Sequence, residues 1–213
     1  MLDVDNVRIF RYDVEASAAF SFRGVPGIRR GPEGGPRRGF IPAETEGGPF
    51  RMKKIGIVMG SDSDLPVIRK ATDTLKALEI PFEVHVYSAH RTPEEARDFA
   101  LKARERGFGA LIAAAGMAAH LAGAIAANTT LPVIGIPCAG PLLDGLDALL
   151  STVQMPTGIP VATVAVGGGA NAALLAAQIL AVEDGDLAAR LDARRRADAR
   201  AVLEKDAGIL ERL

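Results

Sequence analysis

KIGIVMGSDSDLP, residues 54–66, runs from an unbroken apolar stretch through a Gly-Ser-Asp turn to a proline at a helix start. A run that is apolar at every position suits a strand covered on both faces, the environment of a parallel sheet. Proline is tolerated in the first helical turn, where the N–H it lacks would have no partner anyway. The passage reads as strand, turn, helix. The same grammar recurs along the chain. Apolar runs at 55–60 (IGIVMG), 82–88 (FEVHVYS), 110–116 (ALIAAAG), 131–137 (LPVIGIP) and 161–167 (VATVAVG) alternate with amphipathic stretches near 64–79, 92–106, 118–127, 144–153 and 170–182. This alternation predicts an α/β domain: a three-layer, doubly wound parallel sheet with right-handed crossovers.

Composition sets the outer bounds. The 213 residues are 48% hydrophobic, enough to bury a sizeable core, and 25 Lys plus Arg against 26 Asp plus Glu leave a net charge of −1. Such a balance provides no overall field to gather nucleic acid or an anionic membrane, so neither is expected as a partner. The single cysteine, Cys138, cannot form an internal disulfide; within its apolar run it reads as a small buried thiol, which fits a reducing cytoplasm. No stretch reaches the roughly 18 apolar residues of a membrane span, and the N-terminus lacks the order of a signal peptide.

Residues 1–51 differ from the rest. Stretches such as GVPGIRRGPEGGPRRGF mix Arg, Gly and Pro without period, which predicts a disordered extension. The first strand starts abruptly after Met52, where translation itself is one candidate to begin. The expected plan is an extension at 1–51, an α/β domain at 52–183 and a charged helix within 184–213. The narrow apolar stripe of that helix suggests packing against a neighbouring subunit.

In an open parallel sheet, ligands bind beyond the carboxyl ends of the strands. Gly60-Ser61-Asp62-Ser63-Asp64 follows the first strand and offers backbone N–H groups, serine hydroxyls and a helix N-terminus. It reads either as a plain capping loop or as a ligand loop in which an aspartate grips ribose hydroxyls. Ser88-Ala89-His90-Arg91-Thr92-Pro93-Glu94-Glu95 follows the second strand, with Thr92 and Glu95 spaced as a capping box. Capping does not account for His90 and Arg91, an imidazole able to move protons beside a guanidinium able to grip phosphate. After the third strand, Gly116, Met117 and Ala118 lead to His120, which reads as a second catalytic group, a donor lining the site or a core histidine at a helix start. Gly60, Gly116 and Ala118 are small enough for a ligand to approach closely. His85, inside the second strand, reads as an ordinary strand position. The loops at 137–140, 154–160 and 167–171 are placed to close over a ligand. Gly167-Gly168-Gly169 lacks the spacing of a dinucleotide fingerprint, and no Walker loop, GxSxG elbow or metal-ligand spacing occurs. The chemistry is expected to be done by side chains, without metal or cofactor.

GSDSD, SAHRTP, AGMAAHLAG and GLDALLSTVQMPTGIPVATVAVG occur here in that order. Together they resemble the class I N5-carboxyaminoimidazole ribonucleotide mutases of purine (IMP) biosynthesis, over Lys54 to about Leu191. The resemblance implies a flavodoxin-like fold and an isomerase that moves a carboxylate from N5 of aminoimidazole ribonucleotide to C4. The implied course is decarboxylation to trapped CO₂, recarboxylation at C4, then loss of the C4 proton. Ser61, Asp64 and Arg91 would bind the ribonucleotide, Ser88 would line the same site, and His90 would be the general acid–base. The resemblance also implies a homo-octamer with sites at subunit junctions. Two rivals are the related carboxylase, which uses CO₂ directly, and a non-enzymatic flavodoxin-like nucleotide-binding module; His120 within AAHL favours the mutase. The chain departs from the family pattern at Met117, where a glycine is usual, at Ala122, where a proline is usual, and in GGGANAALL, which is shorter than the usual glycine-rich segment.

Overall fold

The computed structural model describes residues 52–210 apart from 142; the extension expected at 1–51 lies outside them. Five strands, β1 (Lys54–Met59), β2 (Phe82–Val86), β3 (Phe108–Gly116), β4 (Val133–Cys138) and β5 (Ala162–Thr163), form one sheet in the order β2-β1-β3-β4-β5. Every pairing is parallel, as the alternating pattern predicted. Helices α1 (Leu65–Ala77), α2 (Pro93–Lys102), α3 (Leu121–Ala126), α4 (Leu146–Val153), α5 (Gly169–Leu180) and α6 (Gly185–Ala207) complete the chain.

Side chains alternate across each strand, and the apolar runs therefore feed two separate cores. Ile55, Ile57 and Met59 of β1 join Ile112 and Ile136 beneath Ile68, Ala71 and Leu75 of α1 and the alanines of α5. On the other face Val58, Leu111 and Ala113 pack with Phe99 of α2 and with Leu121 and Ile125 of α3. Three layers result. Gly169 fixes how closely α5 meets α1, because a Cβ there would lie 2.1 Å from the Val67 carbonyl oxygen.

Several expected elements are shorter in the structure, β2 and α2 among them; for three others the local reason is plain. β5 stops at Thr163 instead of reaching 167. The bonds Val164 N→Gly135 O and Gly167 N→Pro137 O show that residues 135 and 137 both face β5. Pro137 has no N–H to return, so the ladder loses a rung there. α3 starts at Leu121 because Met117 adopts φ +52° and two tight bonds, Ala119 N→Met117 O (2.9 Å) and His120 N→Ala118 O (2.8 Å), turn the chain first. α4 starts at Leu146 after Asp144 and Gly145, both with positive φ.

The stripe of α6 divides. Leu187 and Leu191 are buried in this chain's own core, whereas Val202 and Leu203 stand exposed farther along. Among the described residues, no helix is long and apolar enough to cross a membrane.

Gly169→Ala is expected to destabilise the fold by about 1–3 kcal/mol, since the added methyl meets backbone that cannot swing aside. A lowered midpoint in chemical denaturation checks this; an unchanged midpoint would show that α5 can ride outward freely.

Candidate active site

The strand order places a topological switch at the β1 and β3 ends, since the chain leaves β1 toward β2 on one side while β3 leads onward to β4 on the other. A cavity of about 460 Å³ opens there. Gly60, Ser61, Asp64, Ser88, His90, Arg91, Gly116 and Ala118 all line it. His120 is not in its wall but touches it through His90. Ser63, Met117, Leu121 and Pro141 also line it.

The first loop is held by its own hydroxyls. Ser61 Oγ accepts from Ser63 N (3.3 Å) and Ser63 Oγ (2.9 Å) and donates to Asp62 Oδ1 (3.2 Å), which caps the 3₁₀ turn Asp62–Asp64. Its single proton is thus already engaged with a carboxylate, the kind of acceptor that a phosphate oxygen would replace. Asp64 stands at the N-cap position of α1 but makes no side-chain capping bond. It is only 9% exposed, and burial pushes its carboxyl up, opposed by hydrogen bonds from the Cys138 thiol and the Ser61 region and reinforced by the Asp62 charge. The Cys138 thiol is itself pushed up to about 12, by burial first and then by the Asp64 charge. Cys138 therefore stays protonated, and its thiol donates to the Ile136 carbonyl oxygen at 3.8 Å. A buried carboxylate that does not cap its helix is available to a ligand.

The second loop closes on Ser88. Ser88 Oγ accepts from His90 N (3.3 Å) and Arg91 N (3.2 Å), while Thr92 Oγ1 accepts from Ser88 N (2.8 Å). The capping box expected of Thr92 and Glu95 is not made, because the Thr92 hydroxyl is spent on this turn and forms no capping bond. The turn presents His90 and Arg91 to solvent. Arg91 Nη2 donates to Gly60 O at 3.0 Å and so ties the second loop to the first.

His90 and His120 meet across the site. His90 Nε2 lies 2.9 Å from His120 Nδ1, with the rings nearly perpendicular at 82°. Both are exposed, so His120 is not a core histidine. A hydrogen bond at this distance requires one facing nitrogen to carry a proton and the other to be bare. The couple is thus built to hold one proton between two bases, which is what reversible proton transfer to a ligand requires.

Other expectations fared differently. His85 stacks on Tyr87 (5.0 Å between centroids) and reaches Glu83 at 3.4 Å, a strand position away from the cavity as read. Lys54, His85 and Arg106 surround Glu83 and hold its carboxyl below the usual range, chiefly through the Lys54 hydrogen bond. Of the three loops expected to close over a ligand, only that after β4 lines this cavity, through Ala139, Gly140 and Pro141. Gly158–Pro160 instead line a separate cavity of about 1000 Å³, and Gly169 serves helix packing. Neither signal was decisive in sequence, since glycine marks turns and close approaches alike. Among the described residues, no three His, Cys, Asp or Glu side chains cluster as a metal set.

Replacing Asp64 by Asn removes a buried charge. A carboxyl raised on folding contributes stability below its unfolded pKa that is lost as pH rises through the folded pKa. The Asn variant should therefore melt higher than the parent at pH 7–8, with the gap closing toward pH 4. A gap that is constant with pH in calorimetry would show that the Asp64 carboxyl is not desolvated.

The family described as AIR carboxylase matches residues 54–201. The N5-carboxyaminoimidazole ribonucleotide mutase of Bacillus subtilis is 54% identical over 152 residues, covering 70% of this chain and 94% of that protein. The phosphoribosylaminoimidazole carboxylase of Saccharomyces cerevisiae is 52% identical over 138 residues, covering 65% of this chain but 24% of that protein. Among solved structures, Treponema denticola PurE superposes with a TM-score of 0.63 at 29% identity, covering 72% of this chain and 96% of that one.

Proposed function

The chain belongs to the AIR carboxylase family, and we propose that it is an N5-carboxyaminoimidazole ribonucleotide mutase, an isomerase of purine biosynthesis that shifts a carboxylate from N5 to C4. What supports this activity above all is the proton-sharing couple His90–His120, 2.9 Å apart, beside a cavity that Arg91 and Asp64 also line. The mutase is preferred to the carboxylase because the match extends over nearly the whole of the Bacillus subtilis mutase, but over only a quarter of the yeast carboxylase.

The chemistry follows from what these groups can hold and release. The ribonucleotide phosphate would take the guanidinium of Arg91 and the hydroxyl of Ser61, which would exchange the Asp62 carboxylate for it. Asp64 would accept from ribose hydroxyls, and Ser88 would keep the His90 turn in shape. As the bond between N5 and the carboxylate carbon breaks, its electron pair returns to N5 and His90 supplies the proton. C4 then attacks the CO₂ carbon, and the C4 proton leaves to His90. One proton is lent and one recovered, so the couple ends as it began. Gly116 and Ala118 would let the aminoimidazole ring lie close to the backbone.

We further propose that the enzyme works in the cytoplasm as a homo-octamer. Leu146, Leu150 and Val153 form an exposed apolar row on α4, and Val202 and Leu203 form another on α6; these supply surface for a second copy. Light scattering should read an octamer for the parent and smaller species for Leu146→Asp with Leu150→Asp. A monomeric parent at micromolar concentration would overturn the assembly.

His90→Asn is expected to keep fold and assembly while losing about 10²–10⁴-fold in kcat, the usual worth of general acid–base catalysis. Arg91→Ala should act mainly by raising KM. The assay follows C4-carboxylated product from freshly made N5-carboxyaminoimidazole ribonucleotide, alongside aminoimidazole ribonucleotide with bicarbonate. Preference for the second substrate pair would make this a carboxylase; full turnover by the Asn variant would remove His90 from the mechanism.

A further inference from the structure

We propose that the cleft between α5 and α6 is a second anion site, built for the phosphate group of a small phosphate monoester and separate from the candidate active site. Helical spacing makes its two polar walls. Asn171 and Gln178 stand seven residues apart on α5, and Arg194, Arg195 and Asp198 share one face of α6. Between these faces lies a cavity of about 330 Å³. None of its lining residues also lines the cavity at the β1 and β3 ends. The observation that carries the proposal is an unanswered set of donors on α6. Nε and Nη2 of Arg190 and Nε of Arg194, one turn apart on the helix, are shut off from water and have no hydrogen-bond partner among the described residues. Asp198 Oδ2 lies 3.7 Å from Arg194 Nε, too far to accept a bond. A guanidinium cannot shed its charge, and an N–H taken out of water without an acceptor is costly. Donors held in this state call for an acceptor from outside the single chain.

Charge and shape identify the class of acceptor. The lining sets two guanidinium groups against one carboxylate, so it favours an anion. Arginine forks match the oxygens of phosphate and of carboxylate two at a time. Phosphate is preferred because the cleft is concave and falls within the roughly 300–1,000 Å³ of small-molecule sites. The amides of Asn171 and Gln178 add donors on the α5 side for the remaining oxygens, and Leu174 and Leu175 between them offer apolar surface to the body of the ester. A single side-chain carboxylate from a neighbouring copy would leave most of that volume and both amides unused.

The test must silence the phosphate grip proposed for Arg91, so it is made on the full chain carrying Arg91→Ala. Inorganic phosphate, titrated calorimetrically at an ionic strength held constant with chloride, should still bind this protein. Adding Arg194→Gln, or separately Arg195→Gln, should weaken that binding about 10–100-fold, the worth of a lost charge-assisted hydrogen bond. Circular dichroism and light scattering establish which variants keep the parent's fold and assembly, and either one that does so carries the test. Absence of phosphate binding in the Arg91→Ala protein would overturn the site, as would binding that neither glutamine variant weakens. Absence of binding together with dissociation of the assembly by Arg194→Gln would show that a neighbouring copy supplies the acceptor instead. None of these outcomes bears on the mutase activity, which is read by its own assay.

Discussion

β1 is hydrogen-bonded along its length to β2 on one side and β3 on the other, all three running in the same direction. That double pairing generates the site. It brings the loops after β1, β2 and β3 to a single edge, so that Gly60, Arg91 and Met117, far apart in the chain, share a wall. It also requires crossovers that cover both faces, which is why the runs of β1, β3 and β4 have no polar alternation and why two cores, not one, hold the sheet. The bond from Arg91 to the Gly60 carbonyl is a second fastening across the same junction.

Much of this was legible because the signals were redundant. Strand runs, turn residues and helix starts agreed along the chain from Lys54 onward, and local agreement of that kind specifies a fold. Ser61, Asp64, Ser88, His90 and Arg91 were singled out because strand ends in parallel sheets are where ligands bind, because plain capping left His90 and Arg91 unexplained, and because the motifs around them resemble the mutase family; all five line the cavity. What sequence could not show was how hydroxyls are shared. Thr92 and Glu95 have capping-box spacing, yet the Thr92 hydroxyl is engaged by Ser88. The early end of β5 was hidden for a similar reason, since the missing hydrogen bond belongs to Pro137 on the neighbouring strand and not to any residue of the run itself. His120 remained open among three readings until its ring was seen facing His90.

Two features of the site run against stability. Asp64 keeps a carboxyl where burial disfavours its charge, and Met117 keeps a side chain where the backbone favours glycine. Local conflicts of this kind concentrate at functional sites, where the rest of the fold holds them in place. Here the holding is done by close-packed neighbours: Gly169 seats α5 against α1 just behind the Asp64 turn, and Gly116 admits the Cys138 carbonyl, 3.4 Å from where its Cβ would be.

Pro137 has an effect beyond the length of its neighbour. An open sheet ends in two rows of unpaired backbone groups, each a template on which a strand from another chain can grow. Here both ends are blunted by different means. The β5 end offers a strand of two residues, because Pro137 interrupts the ladder that would have lengthened it. The β2 end carries Glu83 and His85, with Lys54 and Arg106 gathered onto the same carboxylate, so charge guards it. Copies of this chain are thereby steered away from continuing one another's sheets, and association is left to the helices.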